Sequence, residues 1–128
     1  MPARPIRLLL VDDSQSTLDG LRMYLQEVGA PVEVVGEATD GAQAIERARA
    51  LRPDLVVMDA RMRGMSGFTA TRLIREELPG VAVVILTMYD GEMARADAEL
   101  AGAAGFVTKD DLPALEDMIA TVRSRFLL

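Results

Sequence analysis

The chain has 128 residues, of which 50% are hydrophobic and 27% charged, and its formal net charge is −6. This length and composition are typical of one globular domain. The absence of cysteine excludes a disulfide framework or a thiolate metal site, and the acidic balance argues against nucleic-acid binding by this domain alone. No apolar run is long enough to span a membrane, and the first five residues do not resemble a secretion signal, so we expect a cytoplasmic location.

Five short apolar runs alternate with segments of helical periodicity. The predicted strands are, in chain order, residues 6–11, 32–36, 55–58, 81–86 and 104–107. The predicted helices cover residues 18–28, 42–48, 68–78, 91–101 and 115–122. The fourth helix is rich in alanine, and Met93 and Leu100 are its only large apolar side chains. We therefore expect Met93 and Leu100 to anchor it and this helix to be the least firmly packed.

Strict alternation of strands and helices with short connections predicts an α/β fold with a parallel sheet. Five strands in a chain of this length fit the flavodoxin-like (βα)5 fold, a doubly wound sheet with helices on both faces. The expected strand order is 2-1-3-4-5. We predict a single domain over residues 1–128.

Polar side chains follow four of the five predicted strands. Asp12 and Asp13 come after the first strand, Asp59 after the third, Thr87 after the fourth and Lys109 just past the fifth. Because the carboxyl ends of parallel strands open on one edge of the sheet, these side chains should converge. Three carboxylates, a hydroxyl and an ammonium suit a divalent cation and a phosphoryl group. The pattern therefore predicts a metal and phosphoryl site.

Each of these residues also has a simpler interpretation. Asp12, Asp13 and Thr87 could begin or cap helices, and Lys109 could be a surface residue, although it is the only lysine in the chain. Two unit charges 4 Å apart repel by roughly 4 kcal/mol at an effective dielectric near 20, so three crowded carboxylates call for a bound cation. A carboxylate beside such a cation can act as a nucleophile. The joint occurrence favours the functional interpretation.

The sequence resembles the receiver domain of two-component response regulators over essentially its whole length. The matching segments are LLLVDD at 8–13, Asp59 with Met62, Met65 and Gly67 behind it, VILT at 84–87 and GFVTK at 105–109. Segments 34–38 and 86–90, and the pair Lys109-Asp110, are similar to the branch that carries a LuxR-type helix-turn-helix output domain. No such domain follows, which favours an excised receiver over a stand-alone one.

The resemblance implies that Asp59 is the phosphoacceptor and takes a phosphoryl group from a sensor histidine kinase or a phosphotransfer protein. It also implies a Mg²⁺ (or Mn²⁺) cofactor bound by Asp12, Asp13, Asp59 and the backbone carbonyl of Arg61. The domain would then be a regulatory switch, and its only catalysis would be its own phosphorylation and dephosphorylation.

The resemblance further implies that Thr87 and Lys109 bind the phosphoryl oxygens. Thr87 and Phe106 would rearrange on phosphorylation and alter the surface of the fourth helix, fifth strand and fifth helix. That surface would control an output domain or a downstream protein, with transcription regulation as the process, and phosphorylation could drive homodimer formation. We expect no direct contact of this domain with nucleic acid or membrane.

Two arginines depart from the family pattern. Arg63 replaces the proline usually found four residues after the phosphoacceptor, and Arg61 places a second cation near the acidic residues. If Arg61 turns inward, it would compete with Mg²⁺ and change the phosphoryl lifetime; alternatively, both side chains point into water. Tyr89 is a third candidate modulator.

Two other functions compete with the switch. One is a receiver-like protein-binding module that works without phosphorylation, suggested by the two arginines. The other is an enzyme, either a flavin carrier or an aspartate-based phosphohydrolase. The first strand lacks a flavin-type phosphate loop, and Asp59 is followed by Ala60 and Arg61 without a second acidic residue. The enzyme interpretation is therefore the weakest of the three.

Overall fold

The structure is a computed structural model, and it describes residues 4–125. The strands are β1 (Ile6–Val11), β2 (Val32–Ala38), β3 (Leu55–Asp59), β4 (Ala82–Thr87) and β5 (Gly105–Thr108). The helices are α1 (Gln15–Glu27), α2 (Gly41–Leu51), α3 (Gly67–Glu77), α4 (Glu92–Leu100) and α5 (Leu112–Ser124). All strands are parallel, in the order β2-β1-β3-β4-β5, which confirms the predicted topology. None of the described helices is long and apolar enough to cross a membrane.

The sheet carries one hydrophobic layer on each face. Successive residues of β1 alternate between them: Leu8 and Leu10 pack under α1 and α5, whereas Leu9 and Val11 pack under α2, α3 and α4. Every residue of β3 and β4 is buried, as expected for central strands covered on both faces. These buried strands fix the edge at which the polar residues are presented.

Four of the five helices begin at a capping side chain. Ser14, Asp40, Ser66 and Asp111 each accept a hydrogen bond from a backbone N–H in the first turn of α1, α2, α3 and α5. Helix α4 instead begins at Gly91, which offers no side-chain cap. Such a cap contributes about 1 kcal/mol relative to alanine but only a few tenths of a kcal/mol relative to glycine, so α4 begins with slightly less local stabilisation than its neighbours.

Helix α4 differs from the sequence-based expectation in how it packs. Its only buried residue is Ala98, whereas Met93 and Leu100 are 82% and 84% exposed. The prediction that these two residues anchor the helix is wrong, because residues seven apart share a face and this face points away from the sheet. The sheet-facing side consists of alanines, so α4 contacts the sheet through small side chains, and its weak packing is confirmed.

Strand β2 also runs two residues further than predicted, to Ala38. Its pairing with β1 shifts register between Leu8 and Leu9, and Val11 then pairs with Ala38. The irregularity adds one residue to β2, which could not be inferred from its apolar pattern. The longer strand brings the Asp40 cap of α2 toward the carboxyl edge of the sheet.

Candidate functional site

Five predicted site residues meet at the carboxyl edge of the sheet. Asp12 follows β1 directly, Asp59 and Thr87 are the last residues of β3 and β4, and Lys109 follows β5. Together with Asp13 they line a cavity of about 240 Å³. The other residues that line it are Ser14, Thr17, Arg61, Met88 and Tyr89. The structure therefore brings together all five side chains that the sequence analysis placed at this edge.

The acidic cluster consists of Asp12, Asp13 and Asp59. One carboxylate oxygen of each residue lies within 4.8 Å of the others. Asp12 and Asp59 are buried and Asp13 is half-buried. Hard carboxylate oxygens are the donors that Mg²⁺ and Mn²⁺ prefer, and an octahedral Mg²⁺ holds its ligands at 2.0–2.1 Å. A small inward movement of the carboxylates would bring them to one ion, so the donor set fits a divalent cation.

Lys109 balances part of this negative charge. Its Nζ lies 2.8 Å from Asp12 Oδ2 and 3.5 Å from Asp59 Oδ1, while its backbone N–H donates to the Thr87 carbonyl at 2.7 Å. The other Asp12 oxygen accepts from the Ser14 backbone N–H at 2.9 Å. Burial alone would lower the pKa of Lys109, but its hydrogen bond to Asp12 and the charge of Asp59 outweigh burial and raise it. The ammonium therefore stays charged at neutral pH.

Asp59 is the electrostatically strained member of the cluster. Burial and the neighbouring Asp12 charge raise the pKa of Asp59 to about 6, and Lys109 offsets this only in part. Of the described cationic side chains, only Lys109 lies within ion-pair distance of these three carboxylates. Three carboxylates against one ammonium leave an excess of negative charge, which a divalent cation would neutralise.

The loop between β3 and α3 contacts the cluster through its backbone. The Arg61 N–H donates to Asp59 Oδ1 at 3.4 Å, and the Arg63 N–H donates to Asp13 Oδ2 at 3.3 Å. The Arg61 guanidinium lies over the Tyr89 ring, 5.1 Å from its centroid, and the Arg63 side chain is exposed. Arg61 therefore does not turn into the acidic cluster, and the pair Arg61–Tyr89 joins two loops beside the cavity.

Gly67 lets helix α3 approach the backbone of Asp59. A Cβ on Gly67 would lie 1.9 Å from the Asp59 carbonyl oxygen and 3.0 Å from the Ala60 Cα. The Gly67 N–H donates to the Ala60 carbonyl at 2.9 Å. In the sequence Gly67 is distinguished only as part of a motif, and the close approach explains why glycine stands there.

Thr87 and Phe106 lie on the same side of the sheet, toward α4. Thr87 is buried, and its Oγ1 accepts the Tyr89 N–H at 3.3 Å, which leaves its own hydrogen free to donate elsewhere. Phe106 is half-buried on β5, and its pairing partner Ile85 is two residues before Thr87. The Arg95 guanidinium covers the Phe106 ring at 4.7 Å. Arg95 was not predicted as a site residue, since an exposed arginine on a helix carries no distinguishing signal in the sequence.

Comparison with known proteins identifies this arrangement. Residues 8–120 match the response regulator receiver domain family. The chain is similar to the response regulator GacA of Pseudomonas viridiflava, at 35% identity over 121 residues that cover 94% of this chain and 55% of GacA. The chain spans about half the length of the curated relatives it matches.

Two solved structures extend this similarity to three dimensions. The signal receiver domain of NarL from Mycobacterium tuberculosis matches with a TM-score of 0.82 and 32% identity, over 91% of this chain and 98% of that one. A LuxR-family response regulator from an Aurantimonas species matches with a TM-score of 0.81 and 36% identity, over 91% and 86% of the two chains.

The chain belongs to the receiver domain family of two-component response regulators. Its neighbours include LuxR-family regulators, in agreement with the branch that the sequence motifs indicated.

Proposed function

We propose that Asp59 is the phosphoacceptor and that the surrounding side chains neutralise and position the incoming phosphoryl group. The observation that carries this proposal is the position of Lys109 Nζ, 2.8 Å from Asp12 and 3.5 Å from Asp59 at one wall of the cavity. An ammonium held between two buried carboxylates can bind phosphoryl oxygens without losing its place. This arrangement supports phosphoryl transfer, in which the protein mainly positions groups and stabilises charge.

The reaction is an in-line displacement at phosphorus. A carboxylate oxygen of Asp59 attacks the phosphorus of a phosphohistidine on a sensor histidine kinase or phosphotransfer protein. The P–N bond breaks, and its electron pair stays on the imidazole nitrogen, so an acyl phosphate forms. Lys109 pairs with one phosphoryl oxygen, and the Thr87 hydroxyl, whose hydrogen is free, donates to another. The attack requires Asp59 to be deprotonated. Because the pKa of Asp59 is raised, its deprotonated fraction depends on the charges of the neighbouring groups.

Asp12, Asp13, Asp59 and the backbone carbonyl of Arg61 would hold Mg²⁺ or Mn²⁺. The bound cation supplies charge neutralisation for the carboxylates and the phosphoryl oxygens. The Ser14 and Arg63 backbone N–H groups fix the orientation of Asp12 and Asp13 toward the shared position. This chain's contribution is therefore a rigid set of oxygen donors at the ends of two buried strands.

Phosphorylation would change the surface of the domain through movements of the Thr87 and Phe106 side chains. Movement of Thr87 toward the phosphoryl group vacates space on the side of the sheet where Phe106 lies, and the surface formed by α4, β5 and α5 changes. An output domain or a downstream protein would read this surface, or a second copy would bind it as a homodimer. The names of the relatives support transcription regulation as the process. The location would be the cytoplasm, and the domain would catalyse only its own phosphorylation and dephosphorylation. The module that works without phosphorylation has less support, since Arg61 turns away from the acidic cluster.

Thermal and urea unfolding in Mg²⁺ test the metal half of this proposal. At a hundredfold excess of Mg²⁺ over its dissociation constant, the free energy of unfolding should rise by about 2.7 kcal/mol. Asp13→Asn should abolish this gain, because it removes the half-buried carboxylate from the donor set. Asp117→Asn, which changes an exposed carboxylate on α5, should keep it. Equal stabilisation of all three proteins, or of none, would contradict the proposed metal site.

A further inference from the structure

A second cluster of interacting side chains lies next to the switch residue. The Arg95 cluster consists of Asp90, Arg95 and Phe106. Arg95 makes a bidentate pair with Asp90, with Nε 2.6 Å from Oδ1 and Nη2 3.0 Å from Oδ2. The same guanidinium lies over the Phe106 ring, 4.7 Å from its centroid. One arginine of α4 thus joins the loop after β4 to the aromatic residue of β5.

The surroundings of Phe106 leave it room to move. A cavity of about 170 Å³ adjoins the ring, and it is lined by Arg95, Ala98, Glu99, Ala103, Gly105 and Phe106. Three of these residues are alanine or glycine, which fill little space against an aromatic ring. Helix α4 adds few contacts of its own, since Ala98 is its only buried residue and it begins without a side-chain cap. The Arg95 guanidinium over the ring is therefore a contact that can restrain it in its half-buried position.

Asp90 couples this contact to the phosphorylation site. It lies three residues after Thr87 in the loop that begins at the cavity, and the intervening Tyr89 N–H donates to Thr87 Oγ1. A planar guanidinium with both Nε and Nη2 bound to one carboxylate has a fixed orientation. Movement of Thr87 would pull on this loop, and the loop would shift the guanidinium relative to the ring.

We propose that the Arg95 cluster holds Phe106 in its unphosphorylated position and thereby opposes the phosphorylated state of the switch. This inference rests on the proposed function and adds a residue-level restraint to it. The ring must leave the guanidinium when it turns inward, so the stacking contact is lost in the phosphorylated state. By linkage, the contact weakens binding of a phosphoryl mimic by the same factor by which it stabilises the outward ring. Asp90 acts through Arg95 as a positioning residue.

Titration with beryllofluoride, a phosphoryl mimic, in the presence of Mg²⁺ tests this restraint on the full chain. Arg95→Met should raise the apparent affinity about two- to fivefold, the factor expected for an exposed cation–π contact. Asp90→Asn should act in the same direction with a smaller factor. The double variant should equal Arg95→Met alone, because Asp90 has no effect without the guanidinium. Arg72→Met is the matched control, since Arg72 is an exposed arginine of α3 paired with Glu76.

Ring resonances of labelled phenylalanine give a second readout, and the chain has only three phenylalanines. In protein without beryllofluoride, Arg95→Met should shift the Phe106 ring signals, whereas Arg72→Met should not. An unchanged or lower beryllofluoride affinity of Arg95→Met, with normal binding by the wild type, would overturn the restraint. If the wild type fails to bind beryllofluoride, the proposed function fails, and the ring signals decide alone: unchanged Phe106 signals in Arg95→Met overturn the inference.

Discussion

Replacing Gly67 by alanine is expected to destabilise the domain by about 3 kcal/mol or more. The added Cβ would lie 1.9 Å from the Asp59 carbonyl oxygen and 2.8 Å from its carbonyl carbon, and both are backbone atoms that cannot rotate away. Helix α3 would have to move off β3, and the backbone of Asp59 would move with it. Urea unfolding followed by circular dichroism measures the loss, and the folded fraction should also lose its Mg²⁺ response.

Gly20 provides the matched control for this substitution. It lies in the middle of α1, is exposed, and has nothing within 4 Å of the position where a Cβ would stand. Gly20→Ala should therefore stabilise the protein by about 0.5–1 kcal/mol, since alanine loses less conformational entropy in a helix. A Gly67→Ala protein as stable as the wild type would show that α3 does not depend on this close approach.

Replacing Asp59 by asparagine is expected to stabilise the metal-free protein at pH 7–8 by about 1–3 kcal/mol. Burial and the charge of Asp12 raise the pKa of Asp59 from 3.8 to about 6 in the folded protein. The Asp59 carboxyl ionises at a lower pH in the unfolded protein than in the folded protein. The free energy of unfolding of the wild type therefore falls as pH rises from about 4 through 6, whereas asparagine does not ionise and causes no such fall. The advantage of Asp59→Asn should therefore be absent below pH 4, grow between pH 4 and 6, and stay level above.

Urea unfolding in EDTA across this pH range measures the effect. Asp117→Asn, outside the acidic cluster, should leave the free energy of unfolding within about 0.5 kcal/mol of the wild type. Added Mg²⁺ should reverse the order at neutral pH, because only the wild type keeps all three carboxylate ligands. An Asp59→Asn protein that is less stable than the wild type in EDTA at pH 8 would show that the cluster is not strained.

The convergence of the site residues could be predicted from the sequence because it depends on topology. Apolar runs that end in Asp12, Asp59 and Thr87 place these residues at strand ends, and a parallel sheet brings all such ends to one edge. The number of residues between two strand ends does not matter, since the strand order determines which side chains become neighbours. Lys109 was predicted to lie at the same edge because it comes just after the fifth apolar run.

The directions of exposed side chains could not be predicted in this way. Arg61 had two open alternatives, toward the carboxylates or toward water, and it lies over Tyr89 instead. The arginine that covers Phe106 comes from α4, whose rotation on the sheet is set by its alanines rather than by Met93 and Leu100. A pattern of large apolar residues predicts a buried face only where small residues do not pack more closely, and α4 is such an exception.

We propose that Asp59 accepts a phosphoryl group in a metal-dependent reaction. The most direct measurement is the intact mass of the protein after incubation with acetyl phosphate, with Mg²⁺ or with EDTA, for the wild type, Asp59→Asn and Asp117→Asn. The wild type and Asp117→Asn should each gain one phosphoryl group in Mg²⁺ and none in EDTA, and Asp59→Asn should gain none in either. A phosphoryl group on Asp59→Asn, or one added equally in EDTA, would contradict the claim.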